Sequence, residues 1–142
     1  MIKALLGLNL TVLTFAISYA ALQDDARPEA GLYTAAQSQR GNVIYAKRCA
    51  ACHGQDLAGG DPIPALASPD FLAKYSGRSL SVLFDRIGNT MPADAPGSLT
   101  PAETVEIVAF ILKANQYPAG ATCLPSDAPA LEKLVLPKIS AH

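Results

Sequence analysis

Two irregular segments separate the helical parts of this sequence and limit what it can fold into. Residues 54–67, "GQDLAGGDPIPALA", hold three glycines and two prolines, and residues 88–99, "GNTMPADAPGSL", hold two of each. This composition predicts loops without regular structure. Both loops are too long to be simple connections in a compact domain, so we expect something other than helix packing to fill the space between them.

Helices are predicted on either side of these loops. The first begins at Thr34, a good N-cap, and runs through an Ala-rich stretch without proline to Gly54. The last begins at Thr100 with a capping box and a proline at its first position, and it is apolar enough to be mostly buried. Two shorter helices are predicted between them, one beginning at Ser68-Pro69 and one ending at Gly88. No stretch alternates as a strand does, so we predict an all-α fold of about four to five helices.

Residues 49–53 read "CAACH", which places two cysteines and a histidine within five residues. A structural zinc site needs four ligands, and Cys123 and His142 lack the motif spacing to complete one. A thiol–disulfide enzyme places its first cysteine at a helix N-terminus, where the thiolate is stabilised. Here Cys49 lies at the end of the first predicted helix, where the helix dipole disfavours a thiolate.

The spacing C-x-x-C-H is the signature of covalent haem attachment. Cys49 and Cys52 can reach the two vinyl-derived carbons of a porphyrin from one helical turn, and His53 then directs its imidazole at the iron. A haem would also fill the space that the two loops enclose. We therefore predict one haem c, attached through two thioethers.

Met91 is the predicted second axial ligand of this iron. A lone methionine is more commonly a gap-filler in a core. Met91, however, lies in a Gly/Pro loop and is followed by Pro92, with no helical stripe around it. The other histidine, His142, is the last residue and is expected to be solvated. The alternative is an open sixth position, as in a haem enzyme or a haem protein that binds gas or peroxide.

The chain resembles the class I c-type cytochromes over residues 34–117. The elements that carry the resemblance occur in order: "GNVIYAKRCAACHG", "PAL", "TMP" and the terminal helix "VEIVAFIL". The segments "YSGRSLSVLFDRI" and "TMPADAPGSLT" are similar to those of bacterial cytochromes that accompany, or are fused to, PQQ-dependent dehydrogenases. The resemblance implies that the N- and C-terminal helices cross, with Gly41 and Tyr45 meeting Ile107 and Phe110.

The resemblance also implies roles around the haem. Pro64 matches the proline whose carbonyl accepts a hydrogen bond from the iron-ligating histidine. The tryptophan that usually touches a haem propionate is absent, so Tyr75 or Arg78 is expected to replace it. The predicted cofactor-binding residues are thus Cys49, Cys52, His53, Met91, Pro64, Tyr75 and Arg78, and the predicted metal ligands are His53 and Met91.

The ends of the chain suggest export. Residues 1–20 have one charge followed by an apolar run ending in small residues, which is typical of a cleaved signal peptide, the alternative being a retained membrane anchor. A flexible leader is predicted at 21–33, the cytochrome domain at 34–117, and a Pro-rich tail at 118–142 that wraps over the domain. We expect a periplasmic protein. Its net charge of −1 argues against a nucleic-acid partner.

With both axial positions filled, the protein is expected to be an electron carrier and not an enzyme. Its expected partners are redox proteins, a dehydrogenase as donor and an oxidase or another cytochrome as acceptor. The presumed haem edge, residues 62–65 and 91–96, is nearly uncharged, which favours docking through a small apolar patch. Cys123 is left over from the motif, and we expect it to be either a buried free thiol or an exposed one that pairs between chains.

Overall fold

The computed structural model describes residues 31–138. The predicted signal peptide, most of the predicted leader and the last four residues lie outside this range. The described part contains six α-helices: α1 Ala35–Arg48, α2 Ala50–His53, α3 Pro69–Tyr75, α4 Leu80–Thr90, α5 Pro101–Ala114 and α6 Ala128–Glu132. Between residues 31 and 138 there are isolated β-bridges but no strands, so the all-α prediction is confirmed. None of the six helices is long and apolar enough to cross a membrane.

The structure has more helices than the four to five predicted. The first predicted helix is divided at Cys49, where φ is −126°, far from helical values, so that α2 forms a separate turn. In the tail, the Asp127 side chain accepts a hydrogen bond from the Ala130 amide (2.9 Å) and begins α6. The predicted stop at Gly88 is also wrong. Glycine inside a helix costs about 1 kcal/mol relative to alanine, and α4 tolerates it and continues to Thr90.

Side-chain caps begin the two long helices as predicted. Thr34 and Gln37 form a capping box on α1, and Thr100 and Glu103 form one on α5. The two hydrogen bonds from Thr100 hold the pKa of the Glu103 carboxyl below its usual value. The cap at Thr100 determines where the second loop ends and α5 begins.

The helices α1 and α5 pack closely at Gly41. A side chain at this position would collide with the backbone carbonyl of Glu106, and the Cβ of Phe110 is also close. The Tyr45 ring lies 5.0 Å from the Phe110 ring, centre to centre, in a tilted pair. The absence of a side chain at Gly41 therefore lets the two helix backbones approach each other.

The tail packs against α4 and the residues that precede it. Leu131 and Leu136 are fully buried, and the backbone of residues 134–136 pairs with that of residues 77–80. Val135, which lies between Leu134 and Leu136, is instead 54% exposed. The extended backbone alternates its side chains, so that Leu136 points inward where Val135 points outward.

A hydrogen bond from α5 attaches the first loop to the helical core. The Asn115 side-chain amide donates to the Leu66 carbonyl (2.8 Å) at the end of residues 54–67. Asn115 itself is buried, and it also donates to the Ile111 carbonyl (2.9 Å). The loop that follows the "CAACH" turn thus has a defined attachment at its far end.

We expect Gly41→Ala to destabilise the protein by about 1–3 kcal/mol, because the added methyl group would force α1 and α5 apart. The penalty should appear although alanine is the better helix former. The control is Gly88→Ala in α4, where a Cβ would make only ordinary contacts with Thr104. It should leave stability unchanged or raise it by about 1 kcal/mol. Guanidinium unfolding measures both, and equal stabilities for the two variants would contradict the close packing.

We expect Leu131→Ala to cost about 2–5 kcal/mol, because Leu131 is fully buried and the truncation leaves a cavity. Val135→Ala, four residues away on the same tail, should change stability by less than about 0.5 kcal/mol because Val135 is mostly exposed. Thermal unfolding of the two variants checks the assignment. A tail that only follows the surface would give the same small effect for both.

Candidate haem site

A cavity of about 810 Å³ lies between the two Gly/Pro loops and the helices. This volume is in the upper part of the range of about 300–1,000 Å³ that cofactor and ligand pockets occupy. Every helix from α1 to α5 contributes to its wall. The large apolar and aromatic side chains in its lining include Tyr45, Ile63, Leu66, Tyr75, Leu83, Ile87, Ile107 and Ile111. The space that the loop composition predicted is therefore present and mainly apolar.

The "CAACH" turn forms one wall of this cavity. Cys49, Cys52 and His53 all line it. The amides of Cys52 and His53 both donate to the Cys49 carbonyl, at 3.1 and 2.9 Å, which closes a single helical turn. Cys49 is half-buried, Cys52 is exposed, and His53 is 8% exposed. Two thiols and one imidazole thus reach the same cavity from one turn.

The orientation of the His53 ring is set by the first loop. Its Nδ1 lies 3.0 Å from the Pro64 carbonyl oxygen. A carbonyl can only accept, so Nδ1 carries the proton and Nε2 keeps its lone pair. The hydrogen bond that the resemblance attributed to Pro64 is present. It leaves Nε2 as the nitrogen able to bind a metal.

Met91 also lines the cavity, and it belongs to a different part of the chain from His53. It ends α4 as the C-cap, with its amide donating to the Ile87 carbonyl (2.9 Å). Its backbone is extended (φ −122°, ψ 151°), as expected for a residue before proline. Met91 is half-buried, so its thioether is partly shielded from water. The cavity therefore brings one imidazole and one thioether together.

Burial keeps two neighbouring groups neutral. Burial raises the pKa of the Cys49 thiol to about 11, against a smaller opposing effect of the Arg48 charge. Burial also raises the pKa of the Tyr45 phenol to about 12, with smaller contributions from Cys49 and Asp56. The neutral Tyr45 hydroxyl donates to the Gly54 carbonyl (2.7 Å) and so fixes the residue that follows the "CAACH" turn.

Cationic side chains outnumber anionic ones around the cavity. Its charged lining residues are Lys47, Arg48, Lys74, Arg86 and Asp94. A haem carries two propionates, so a positive surplus suits it. Arg78, which was predicted to bind a propionate, is exposed and is not part of the lining. Its carbonyl accepts from the Leu136 amide (2.9 Å), so the tail fixes the Arg78 backbone.

Lys74 and Arg86 were not predicted from the sequence, although a signal for them was present. Arg86 directly precedes Ile87 on the apolar stripe of α4, and Lys74 precedes Tyr75 on α3. Tyr75 is 8% exposed and lines the cavity, and its hydroxyl makes no hydrogen bond to residues 31–138. The Lys74 ammonium lies 5.5 Å from the centre of the Tyr75 ring. Residues next to two positions of the cavity wall, Tyr75 and Ile87, therefore supply these two cations.

The residues present fit a haem c. The cavity has sufficient volume, an apolar wall, two thiols from one turn, an imidazole with a free Nε2, and cations near its edge. Cys123 lies elsewhere: it is exposed, which excludes the buried alternative, and its Sγ is 3.6 Å from the Thr34 Oγ1. A helical chain with this cavity and this donor set has the features of a c-type cytochrome.

Comparison with known proteins agrees with this class. Residues 36–111 match the family model described as cytochrome c oxidase, cbb3-type, subunit III, and the chain belongs to this family. It is a monohaem class I c-type cytochrome. The function that this membership implies is that of an electron-transfer haem protein.

A solved structure is similar over nearly the whole chain. It is the crystal structure of the sulfane dehydrogenase SoxCD from Paracoccus pantotrophus, with 26% sequence identity and a TM-score of 0.53. The similarity covers 93% of this chain and 68% of the other. No curated protein sequence shows a significant match.

We expect Cys52→Ala to give a protein of low yield and reduced helical signal. Without haem attachment, a cavity of about 810 Å³ would remain between loops that have little else to pack on. Cys123→Ala, the same substitution away from the cavity, should accumulate and fold as the wild type does. Circular dichroism and haem staining of the purified proteins measure this. A well-folded, helical Cys52→Ala apoprotein would contradict the expected dependence on haem.

Proposed function

We propose that this chain is a periplasmic monohaem electron carrier with His53 and Met91 as the two axial ligands. The observation that carries the proposal is that both side chains line one cavity together with the thiols of Cys49 and Cys52. His53 comes from the α2 turn and Met91 from the end of α4, so the two potential ligands belong to separate elements.

Each residue has a distinct task in this proposal. Cys49 and Cys52 hold the porphyrin through thioethers on one helical turn. The Pro64 carbonyl holds the His53 ring by its Nδ1–H, which directs Nε2 into the cavity and makes the imidazole a better electron donor. Met91 supplies the thioether, and its backbone is held by the Ile87 carbonyl at the end of α4.

When bound, the haem supplies one-electron redox chemistry at its iron. The apolar walls from α4 and α5, Leu83, Ile87, Ile107 and Ile111, keep water away from it. Exclusion of water and ligation by a soft thioether both favour the less charged, ferrous state and raise the reduction potential. With both axial positions filled by the chain, no position is left for a substrate, so the protein would act as a carrier.

The exposed rim of the cavity is the proposed docking surface for redox partners. Pro64 and Ala93 line the cavity and are exposed there, with Asp94 beside Ala93. A small apolar patch suits short-lived contacts with more than one partner. We propose a dehydrogenase as donor, with a quinoprotein as the first candidate, and an oxidase or another cytochrome as acceptor. The similarity to SoxCD, itself a sulfane dehydrogenase, supports a donor of the dehydrogenase class.

We expect Met91→Ala to keep its covalent haem and most of its helix, because Cys49, Cys52 and His53 are unchanged. The ferric protein should lose the weak red-edge band that sulfur ligation gives and should bind cyanide, and the ferrous protein should bind carbon monoxide. The reduction potential should fall, because the thioether that favours ferrous iron is lost. Absorption spectra and a redox titration measure these changes.

Leu72→Ala is the matched control for this substitution. Leu72 is a partly buried apolar side chain of α3 that is not part of the cavity wall, so its truncation should leave the sulfur band and the potential unchanged. A wild-type protein that binds carbon monoxide readily would favour the alternative of an open haem enzyme or a gas-binding protein. A Met91→Ala protein that keeps its sulfur band would show that another residue is the ligand.

A further inference from the structure

The loop that follows Met91 has few attachments to the rest of the described chain. Within it, the Ala95 amide donates to the Pro92 carbonyl (3.0 Å), and the Ser98 amide donates to the Ala95 carbonyl (3.2 Å). Both bonds are local turns. Leu99, which is buried, anchors the end of the loop at the start of α5. Most residues between Pro92 and Leu99 are exposed, so packing alone restrains them little.

One side chain reaches this loop from another element. Arg48 Nη2 donates a hydrogen bond to Ser98 Oγ at 2.5 Å. In the described part of the chain, no other hydrogen bond joins residues 92–99 to an element that precedes α4. The two local turns connect this bond to Met91. Ser98 is hydrogen-bonded to Ala95, and Ala95 is hydrogen-bonded to Pro92, which directly follows Met91.

Arg48 is the last residue of α1 and directly precedes Cys49. Its charge is close enough to lower the pKa of Glu103 on α5 and to oppose the larger effect of burial on the Cys49 thiol. Arg48 therefore lies where the turn that carries the cysteines, the loop after Met91 and the start of α5 meet. A side chain in this place can hold two parts of the site at a fixed separation.

We propose that Arg48 is a positioning residue that ties the Met91 loop to the cysteine-bearing turn through Ser98, so that the thioether stays directed into the cavity. This inference rests on the proposed function, in which Met91 is the sixth ligand. In the proposed arrangement, Arg48 contacts neither the iron nor Met91. It acts by disfavouring the loop conformations in which the thioether has moved away.

The inference has a measurable consequence for ligand competition. An added ligand such as imidazole binds ferric iron only when Met91 has left, so its apparent affinity is proportional to the population of the open loop. The Arg48–Ser98 bond is exposed, and exposed charged contacts have modest energies. Removal of the bond should therefore raise the apparent imidazole affinity by about two- to fivefold.

The test is a double-mutant cycle on the ferric holoprotein, titrated with imidazole and followed by the loss of the sulfur band. Arg48→Gln and Ser98→Ala should each raise the affinity by the same factor, and the double variant should raise it no further, because one bond is lost in all three. Ser98→Thr keeps the hydroxyl acceptor and should restore the wild-type affinity. Arg40→Gln removes another charged contact of α1, the ion pair with Glu106, and should have no effect.

Amide hydrogen exchange gives a second readout that does not involve ligand binding. The Ala95 and Ser98 amides should exchange faster in Arg48→Gln and in Ser98→Ala, but not in Arg40→Gln. Amides in the middle of α5 should be unaffected in all variants.

The alternative for Arg48 is a direct contact with a haem carboxylate, since it lines the cavity. In that case Arg48→Gln would act alone, Ser98→Ala would have no effect, and the inference would be overturned. Unchanged imidazole affinities in all variants, with the sulfur band present in the wild type, would overturn it as well. A wild type without the sulfur band would instead overturn the ligation by Met91 and, with it, this inference.

Discussion

The close contact between α1 and α5 is the constraint on which the rest of the structure depends. Because Gly41 has no side chain, the backbone of α1 lies against Glu106, and the Tyr45 ring packs against the Phe110 ring in a tilted pair one turn further along. The end of α1 is thereby held beside the wall that Ile107 and Ile111 form. The "CAACH" turn continues from that end, so its position relative to the cavity follows from the helix packing.

The loops around the cavity are held by a few hydrogen bonds at their ends and not by regular structure. Tyr45 fixes Gly54 at the start of the first loop, and Asn115 fixes Leu66 near its end. Between these two points, Pro64 contacts the His53 ring. The His53 ring is therefore oriented by a loop that is attached to α1 at one end and to the C-terminal end of α5 at the other. Rigid support of this kind keeps a metal ligand in place with little reorganisation.

Structural features whose signal lies within a few consecutive residues could be predicted from the sequence. Features that depend on pairing between distant segments could not. The caps at Thr34 and Thr100 were correct, because a capping box uses only four consecutive residues. The haem-attachment turn was recognisable for the same reason. The position of Arg78 relative to the cavity and the exposure of Val135 could not be predicted in this way, because both depend on how residues 134–136 pair with residues 77–80. That pairing joins segments more than 50 residues apart, and a shift of one residue would exchange inward and outward side chains.

The charges around the cavity were not predicted from the sequence, although their signal was local as well. Lys74, Arg86 and Arg48 come from three different helices, and none of them belongs to the motif that identified the site. Each lies next to a residue that could be identified, Tyr75, Ile87 or Cys49, and so reaches the edge of the cavity where its neighbour forms the wall. In a helix, adjacent residues differ by about 100° in direction, so a long cationic side chain beside a wall residue can extend to the rim. The apolar wall and its charged border therefore arise from the same helices, and a search for charged residues next to each wall position would have found both.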